Sequence, residues 1–318
     1  MKRSWAAFFL VFLLCGPWRV QPARADYKQA VAYYNQGRYD KAIQEIKPDV
    51  DQNPDWEVGH RLLGLCYLSL KNNALAVSSL SRAVQLKSTV FSTYYGLGLA
   101  YFNMQRYENC ITALNQGETL APGKEKAKLS SLRGKAYFQM NRFSEAVSDL
   151  TDSMRSDQPD WLDYHMLGVS YLNLNRTDEA IQALEKALSM KPGQSSVTDP
   201  LGKAYFKKGV SALSAKQYGP AVQNLLKAKD YDPKNGYILY NLAEAYLFEK
   251  KYPDAEKALS QSAALMPRSL EVYARMGLVY EKQKKWDLAL NAYKKAEEIS
   301  PSKAIKDAIA RVNENKKQ

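Results

Sequence analysis

The sequence has few of the residues that metal and catalytic sites require. Its 318 residues include only three cysteines and two histidines. It contains no C-x-x-C, H-E-x-x-H, G-x-S-x-G or D-x-D-x-D-G pattern. Two distant histidines and two cysteines beyond the N-terminal region make no metal-ligand set. The sequence therefore predicts no catalytic residue, no bound metal and no cofactor, and we do not predict an enzyme.

Long apolar runs are also absent, apart from one near the N-terminus. Lys2 and Arg3 precede the short apolar run 6–14, and a small-x-small sequence ends at Ala25. That run is shorter than the ~20 apolar residues that span a bilayer. We therefore favour a signal peptide over residues 1–25, cleaved after Ala25, rather than an uncleaved anchor. Leu14 stands where a lipidated Cys15 would need a small residue, so lipidation is disfavoured. This interpretation predicts a periplasmic or secreted protein.

Acidic residues are scarce in the C-terminal part of the chain. Residues 26–199 carry 19 basic and 20 acidic residues, whereas residues 200–318 carry 22 and 13, a net charge of +9. Such a one-sided basic surface attracts acidic partners or anionic membranes. The alternative is a solvated, lysine-rich helical surface. An exported protein seldom meets nucleic acid, so we expect no nucleic-acid partner and leave open a peripheral contact with anionic envelope components.

A short pattern recurs along the chain, in which Gly or Ala is followed three residues later by Tyr, or in one unit by Ala212. The successive spacings of the small residue are 34, 34, 36, 34, 41, 34 and 34 residues. Ala, or once Cys, follows twelve residues after each of them, and Pro ends most units. The small residues are Ala30, Gly64, Gly98, Gly134, Gly168, Gly209, Ala243 and Gly277. Apolar residues recur at helical spacing, and the small residues let two helices cross closely, so each unit is predicted to be a pair of helices.

These residues resemble the tetratricopeptide repeat, and the resemblance covers eight units from about Asp26 to Pro301. It implies an all-α fold: an α-solenoid of eight helix-turn-helix repeats that forms a right-handed superhelix with a concave groove. The apolar stripe of Ile305, Ala308, Ile309 and Val312 predicts a C-terminal capping helix. We predict repeats 1–5 over residues 26–192, repeats 6–8 over 193–301, and the capping helix and tail over 302–318.

The sixth unit carries a seven-residue insertion in its first helix. Asp199 and Pro200 predict the start of that helix, because an N-cap residue followed by Pro is a helix start signal. The polar run 193–199 predicts a hinge between two rigid parts of the stack.

In tetratricopeptide repeats the exposed face of each first helix lines the groove, and the resemblance places an aromatic and basic strip there. The predicted groove residues are Tyr95, Leu99, Phe102, Lys135, Phe138, His165, Met166, Lys203, Lys207, Tyr237, Tyr240, Asn241, Phe248 and Arg275. Exposed aromatic residues at helical spacing favour peptide capture. The alternative is that each packs against the next first helix.

The predicted function is a non-catalytic scaffold or assembly factor of the bacterial cell envelope that binds a partner protein segment in its groove. The segment is predicted to carry apolar anchors and acidic flanks. The alternative is a cell-wall or peptide-processing enzyme, or an accessory subunit of one. Cys66 and Cys110 are interpreted as packing residues, with a disulfide between them as the lesser alternative.

Overall fold

A computed structural model describes residues 25–156 and 159–317. Residues 1–24, on which nearly all of the predicted signal peptide falls, lie outside this part of the chain. The described residues form 17 α-helices and one short 3-10 helix, with no strand among them. This confirms the predicted all-α, α-solenoid fold class. The chain divides into two compact units at Leu120 and Ala121.

The first unit contains three helix pairs, in each of which two consecutive helices pack together. Its helices are α1 (Ala25–Asn35), α2 (Tyr39–Gln52), α3 (Glu57–Ser69), α4 (Asn73–Gln85), α5 (Phe91–Asn103) and α6 (Tyr107–Gly117), followed by the 3-10 helix Glu118–Leu120.

The second unit contains five helix pairs and one further helix. Its helices are α7 (Gly123–Gln139), α8 (Phe143–Ser153), α9 (Trp161–Asn173), α10 (Thr177–Met190), α11 (Ser195–Ser214), α12 (Tyr218–Tyr231), α13 (Gly236–Phe248), α14 (Tyr252–Leu265), α15 (Leu270–Lys282), α16 (Trp286–Ile299) and α17 (Lys303–Lys317).

The small residues sit where the two helices of a pair cross, as the spacing predicts. A β-carbon added at Gly168 in α9 would lie 2.5 Å from Cγ of Leu184 and 3.2 Å from the carbonyl oxygen of Ala180, both in α10. Ala180 and Leu184 are fully buried. The crossing is therefore too close for any larger residue at position 168 without displacement of the leucine.

The turn that joins the two helices of each pair contains one residue in the left-handed backbone region. In the fourth repeat this residue is Asn141, with φ of 58°. The backbone N–H of the next residue, Arg142, donates to the carbonyl of Tyr137 at 2.9 Å. This bond satisfies a carbonyl that the helix end leaves free. The guanidinium of Arg142 lies 4.6 Å from the centre of the Tyr137 ring, so the turn also covers the repeat tyrosine.

The seven-residue insertion lengthens α11, as predicted, but the predicted start of that helix is wrong. The helix begins at Ser195 instead of Pro200, and Pro200 lies inside it. The earlier turn forms because Val197 and Leu201 are fully buried against α10, in one core cluster with Ile181. Burial of apolar side chains thus outweighs the helix start signal that Asp199 and Pro200 provide.

The predicted boundary between residues 192 and 193 lies within the second unit, in the link between α10 and α11. Gly193 adopts φ of +76° there. The two helices pack against each other on either side of the link. A hinge at this link stays a prediction.

Helix α17 covers the last repeat. Its residues Ile305, Ala308 and Val312 are buried in one cluster with Ala292 and Tyr293 of α16. The fourth residue of the predicted apolar stripe, Ile309, is partly buried against the same cluster. The stripe covers the face of α16 that no further repeat covers.

Candidate functional site

The first helices of the second unit contact one another in order, α7 with α9, α9 with α11, α11 with α13, and α13 with α15. They carry eleven of the fourteen predicted groove residues, which we call the first-helix set. Its members are Lys135, Phe138, His165, Met166, Lys203, Lys207, Tyr237, Tyr240, Asn241, Phe248 and Arg275.

Helix α13 presents the most exposed aromatic side chain of this set. Tyr237 is 66% exposed. It lies in the first turn, where the side-chain oxygen of Asn235 caps the helix by accepting from the Tyr237 N–H at 3.1 Å. One turn later, Asn241 donates its amide to the Tyr237 carbonyl at 2.8 Å. Tyr237 is therefore held on a rigid helix with its ring in solvent, an arrangement that suits a binding contact.

Tyr240 and Arg275 meet across the contact between α13 and α15. The Arg275 guanidinium donates to the Glu244 carboxylate at 2.8 Å and reaches the Tyr240 hydroxyl at 3.5 Å. Both charged side chains are more than two-thirds buried. The charge of Arg275 is thus neutralised within the protein, and Tyr240 offers a partner less area than Tyr237 does.

Lys135 is also neutralised. Its ammonium lies 2.8 Å from Asp163 and 3.5 Å from Asp160, and its side chain is 17% exposed. Asp163 is 2% exposed. It also accepts hydrogen bonds from Ser131 and Ser153, each at 3.0 Å. A buried carboxylate needs such partners, so this lysine stabilises the packing of α7 on α9 and is not free to bind acidic flanks.

Helix α11 carries three lysines, of which Lys208 pairs with Asp178 at 2.7 Å and the other two have no acidic partner in the part of the chain that the structure describes. Lys203 is exposed and has no ion-pair partner among the described residues. Lys207 donates to the neutral side-chain oxygen of Asn175. Of the four cations in the first-helix set, only these two offer an uncompensated positive charge.

Met166 is a packing residue, which corrects the prediction for that position, and Phe138 is half-buried. Met166 is 8% exposed and lies in the core cluster of Val147 and Leu150. Phe138 packs against the same cluster and meets the ring of Phe143 edge-on at 6.1 Å. Core residues of the adjacent second helices cover Met166, whereas Phe138 keeps only part of its ring exposed.

His165 is half-buried beside the ring of Trp161, at 6.3 Å. Burial lowers its pKa, and a hydrogen bond to the backbone of Ser196 opposes that shift. His165 therefore lies beside the Ser196 backbone, at the contact between α9 and α11.

The insertion also creates a cavity, which sequence reasoning missed. The cavity of about 280 Å³ lies between α11 and the start of α13 and is lined by Thr198, Asp199, Gly202, Lys203, Phe206, Tyr231, Asp232, Asn235 and Ile238. A β-carbon on Gly202 would lie 2.9 Å from Cβ of Tyr231, so the glycine permits the close approach of α12. The only sequence signal for this contact is the second Gly-Lys-Ala-Tyr segment at 202–205.

Phe248 lies at the end of α13, away from the exposed Tyr237 in its first turn. Its ring stacks on Tyr218 of α12, with centroids 4.8 Å apart and an angle of 10° between planes. The side chain is still 49% exposed. This pair therefore lies beside the turns of the repeats.

The first unit contains the other three predicted residues on α5. Tyr95 packs on Phe91 at 5.6 Å, and Phe102 meets Tyr107 edge-on at 5.5 Å. All three predicted residues, Leu99 included, are half-buried. They present partial apolar surface along one helix.

Cys66 and Cys110 are buried free thiols. Burial raises the pKa of each to about 12. This confirms their interpretation as packing residues. The described side chains form no group of three metal-ligating residues. No helix among the described residues has the length and apolar character needed to cross a membrane.

Family models of the tetratricopeptide repeat match residues 27–90, 91–124, 164–194, 212–275 and 270–303. Together they cover more than half of the sequence. The chain is a tetratricopeptide repeat protein.

Similar proteins place this tetratricopeptide repeat protein in a broad family. It is 25% identical over 210 residues to Protein O-mannosyl-transferase TMTC1 of Homo sapiens, which covers 65% of this chain and 23% of that relative. The chain thus spans less than a quarter of the relative's length. The solved structure of MamA AMB-1 is 24% identical in sequence and has a TM-score of 0.41. The match covers 54% of this chain and 90% of the chain in that structure.

The first tetratricopeptide domain of Spaghetti (RPAP3) is 23% identical and has a TM-score of 0.36. The match covers 37% of this chain and 94% of the chain in that structure. It was solved bound to the HSP90 peptide SRMEEVD.

Proposed function

We propose that this tetratricopeptide repeat protein is a non-catalytic scaffold that binds a protein segment along the first helices of its second unit. The observation that carries the proposal is Tyr237, whose ring is 66% exposed on a capped, rigid helix. Aromatic side chains of this kind provide much of the energy of protein interfaces. Family membership and the contacts between successive first helices support the same surface.

The charges on these helices refine the chemistry of the bound segment. Lys135 and Arg275 are each paired with an acidic residue of the protein, so they do not contribute an attraction for acidic flanks. Lys203 and Lys207 on α11 remain to do so. We therefore propose a segment with an apolar or aromatic anchor against Tyr237 and an acidic group near α11.

Asp199 and Asp232 line the cavity beside Lys203. This limits the region of positive potential to the face that Lys203 and Lys207 share, one helical turn apart. The acidic part of the segment should therefore be short.

We also propose that the protein acts in the bacterial cell envelope after signal-peptide cleavage. The support is the sequence alone: Lys2, Arg3, the apolar run 6–14 and the small-x-small sequence ending at Ala25. N-terminal sequencing of the exported protein tests this, and the expected first residue is Asp26. An intact N-terminal segment, or an acylated Cys15, contradicts it.

Affinity capture from an envelope fraction, with wild-type protein and two single variants, tests the binding surface. Tyr237→Ala removes the exposed ring from α13. Leu265→Ala removes an exposed apolar side chain from the end of a second helix, α14, and serves as the matched control. We expect the captured partner to be lost with Tyr237→Ala and retained with Leu265→Ala.

The opposite pattern, with loss only in the control, places binding on the second helices and contradicts the proposal. Equal thermal melting curves of both variants and the wild type show that a loss of capture is not a loss of folding.

A further inference from the structure

Three consecutive turns of the second unit place a lysine in the left-handed backbone region. These residues are Lys216, Lys250 and Lys284, with φ of 59°, 62° and 58°. The two preceding turns of the same unit have Asn141 and Asn175 at the equivalent position. Asn tolerates this region better than Lys, because the lysine side chain crowds the backbone there and forms no local hydrogen bond in exchange. Lys71 takes the same conformation in the first unit, with φ of 59°, so this position accepts lysine without favouring it.

The same lysines are not neutralised within the protein. No ion pair of the described residues includes Lys216, Lys250 or Lys284, and all three are exposed. The residues that follow two of them do form ion pairs, Lys251 with Glu249 at 2.8 Å and Lys285 with Glu256 at 2.6 Å. The turns thus keep one uncompensated charge each.

Contacts between repeats place these turns side by side. Tyr218, two residues after Lys216, stacks on Phe248, two residues before Lys250. Lys285, next to Lys284, pairs with Glu256 of the preceding repeat. The three lysines therefore lie along one edge of the second unit. Phe248, 49% exposed, lies between the first two.

We propose that this edge, which we call the lysine edge (Lys216, Lys250, Lys284 and Phe248), docks on the surface of an anionic phospholipid bilayer. Lysine ammonium groups on flexible stems need only a nearby layer of negative charge, whereas recognition of one phosphate or carboxylate favours the planar fork of arginine. The lysine edge contains no arginine. A headgroup layer attracts each lysine near it, and an exposed aromatic ring gains by burial at the interface.

The sequence gives the lysine edge a favourable long-range field. Residues 200–318, which contain all of its members, carry 22 basic and 13 acidic residues. The edge is distinct from Tyr237 in the first turn of α13, so the inference does not rest on the proposed function. A bilayer on the edge and a protein segment on the first helices can bind together.

Vesicle co-sedimentation tests the proposal with the full chain. The vesicles contain phosphatidylcholine alone, or phosphatidylcholine with about one third phosphatidylglycerol. The test variant is Lys216→Asn/Lys250→Asn/Lys284→Asn, in which every new residue tolerates its backbone conformation. Each lysine should contribute about fivefold in affinity, so the triple variant should bind anionic vesicles on the order of 100-fold more weakly.

The matched control removes three exposed, unpaired lysines from second helices, as Lys186→Gln/Lys257→Gln/Lys294→Gln. It changes the net charge equally and should keep most of the affinity. Phe248→Ser should weaken binding without changing its dependence on salt. Thermal melts establish that each variant is folded.

Any one of three results overturns the proposal. The first is that the wild type does not sediment with anionic vesicles at low salt. The second is that the two triple variants lose affinity equally, which indicates an effect of net charge alone. The third is that the wild type binds double-stranded DNA with the same dependence on the three lysines, which indicates a general surface for polyanions.

Discussion

The crossing of α9 and α10 can be tested with one substitution, Gly168→Ala, that should destabilise the protein when Leu184 is present and stabilise it when Leu184 is replaced by Ala. Gly168→Ala places a methyl group 2.5 Å from Cγ and 3.0 Å from Cδ2 of the fully buried Leu184. Overpacking of this kind costs about 1–3 kcal/mol, and the better helix propensity of Ala offsets ~1 kcal/mol. We expect Gly168→Ala to lower the free energy of unfolding by up to about 2 kcal/mol.

Leu184→Ala removes the group that the new methyl would strike. Alone it should cost about 2–5 kcal/mol through lost burial and a cavity. In that background Gly168→Ala should be stabilising by about 1–2 kcal/mol, from helix propensity and about 0.8 kcal/mol for one buried methyl group. The coupling between the two positions should therefore exceed the ~0.3–0.5 kcal/mol of independent sites.

Urea denaturation followed by far-ultraviolet circular dichroism measures all four proteins. Ala243→Gly is the control, since Ala243 occupies the same repeat position, is fully buried and already fits; it should cost about 1–2 kcal/mol, from lost helix propensity and one buried methyl group. If Gly168→Ala changes the free energy of unfolding by the same amount and in the same direction with and without Leu184, the two helices do not cross at these residues.

Three further predictions concern packing, thiols and the link after α10. Ala180→Leu and Ala289→Leu, both at fully buried crossings, should each destabilise by ~1–3 kcal/mol; unchanged melting midpoints in both would show that the repeat register is wrong. Cys66 and Cys110, whose pKa burial raises to about 12, should resist alkylation at pH 8 until denaturant unfolds the chain; rapid labelling of the native protein would contradict their burial. Limited proteolysis should cut the exposed link 191–194 first, and earlier cleavage within a helix of repeats 2–5 would argue against a hinge.

The helix pairs were predictable because each depends on contacts that repeat at a fixed spacing. Gly168, Ala180 and Leu184 are close in sequence, and the same pattern in eight units predicts the same crossing. Apolar periodicity also predicted α17 and the insertion in α11, since both continue a stripe that can be read locally.

The candidate site was less predictable, because exposure depends on partners from other repeats. Lys135 is neutralised by Asp163, which lies on the next first helix. Met166 is covered by core residues of the adjacent second helices. The start of α11 depends on burial of Val197 against α10, and no local signal reports that contact. Tyr237 was predicted, but its greater exposure than Tyr240 needed the structure.

The most direct test of the central claim is a kinetic binding titration of the captured partner at two salt concentrations. Tyr237→Ala should weaken binding by more than ~1 kcal/mol, mainly through faster dissociation, at both salt concentrations. Lys203→Glu/Lys207→Glu should mainly slow association, and the added salt should reduce that effect. Wild-type kinetics in both variants, together with lost binding in Leu265→Ala, would contradict a binding surface on the first helices.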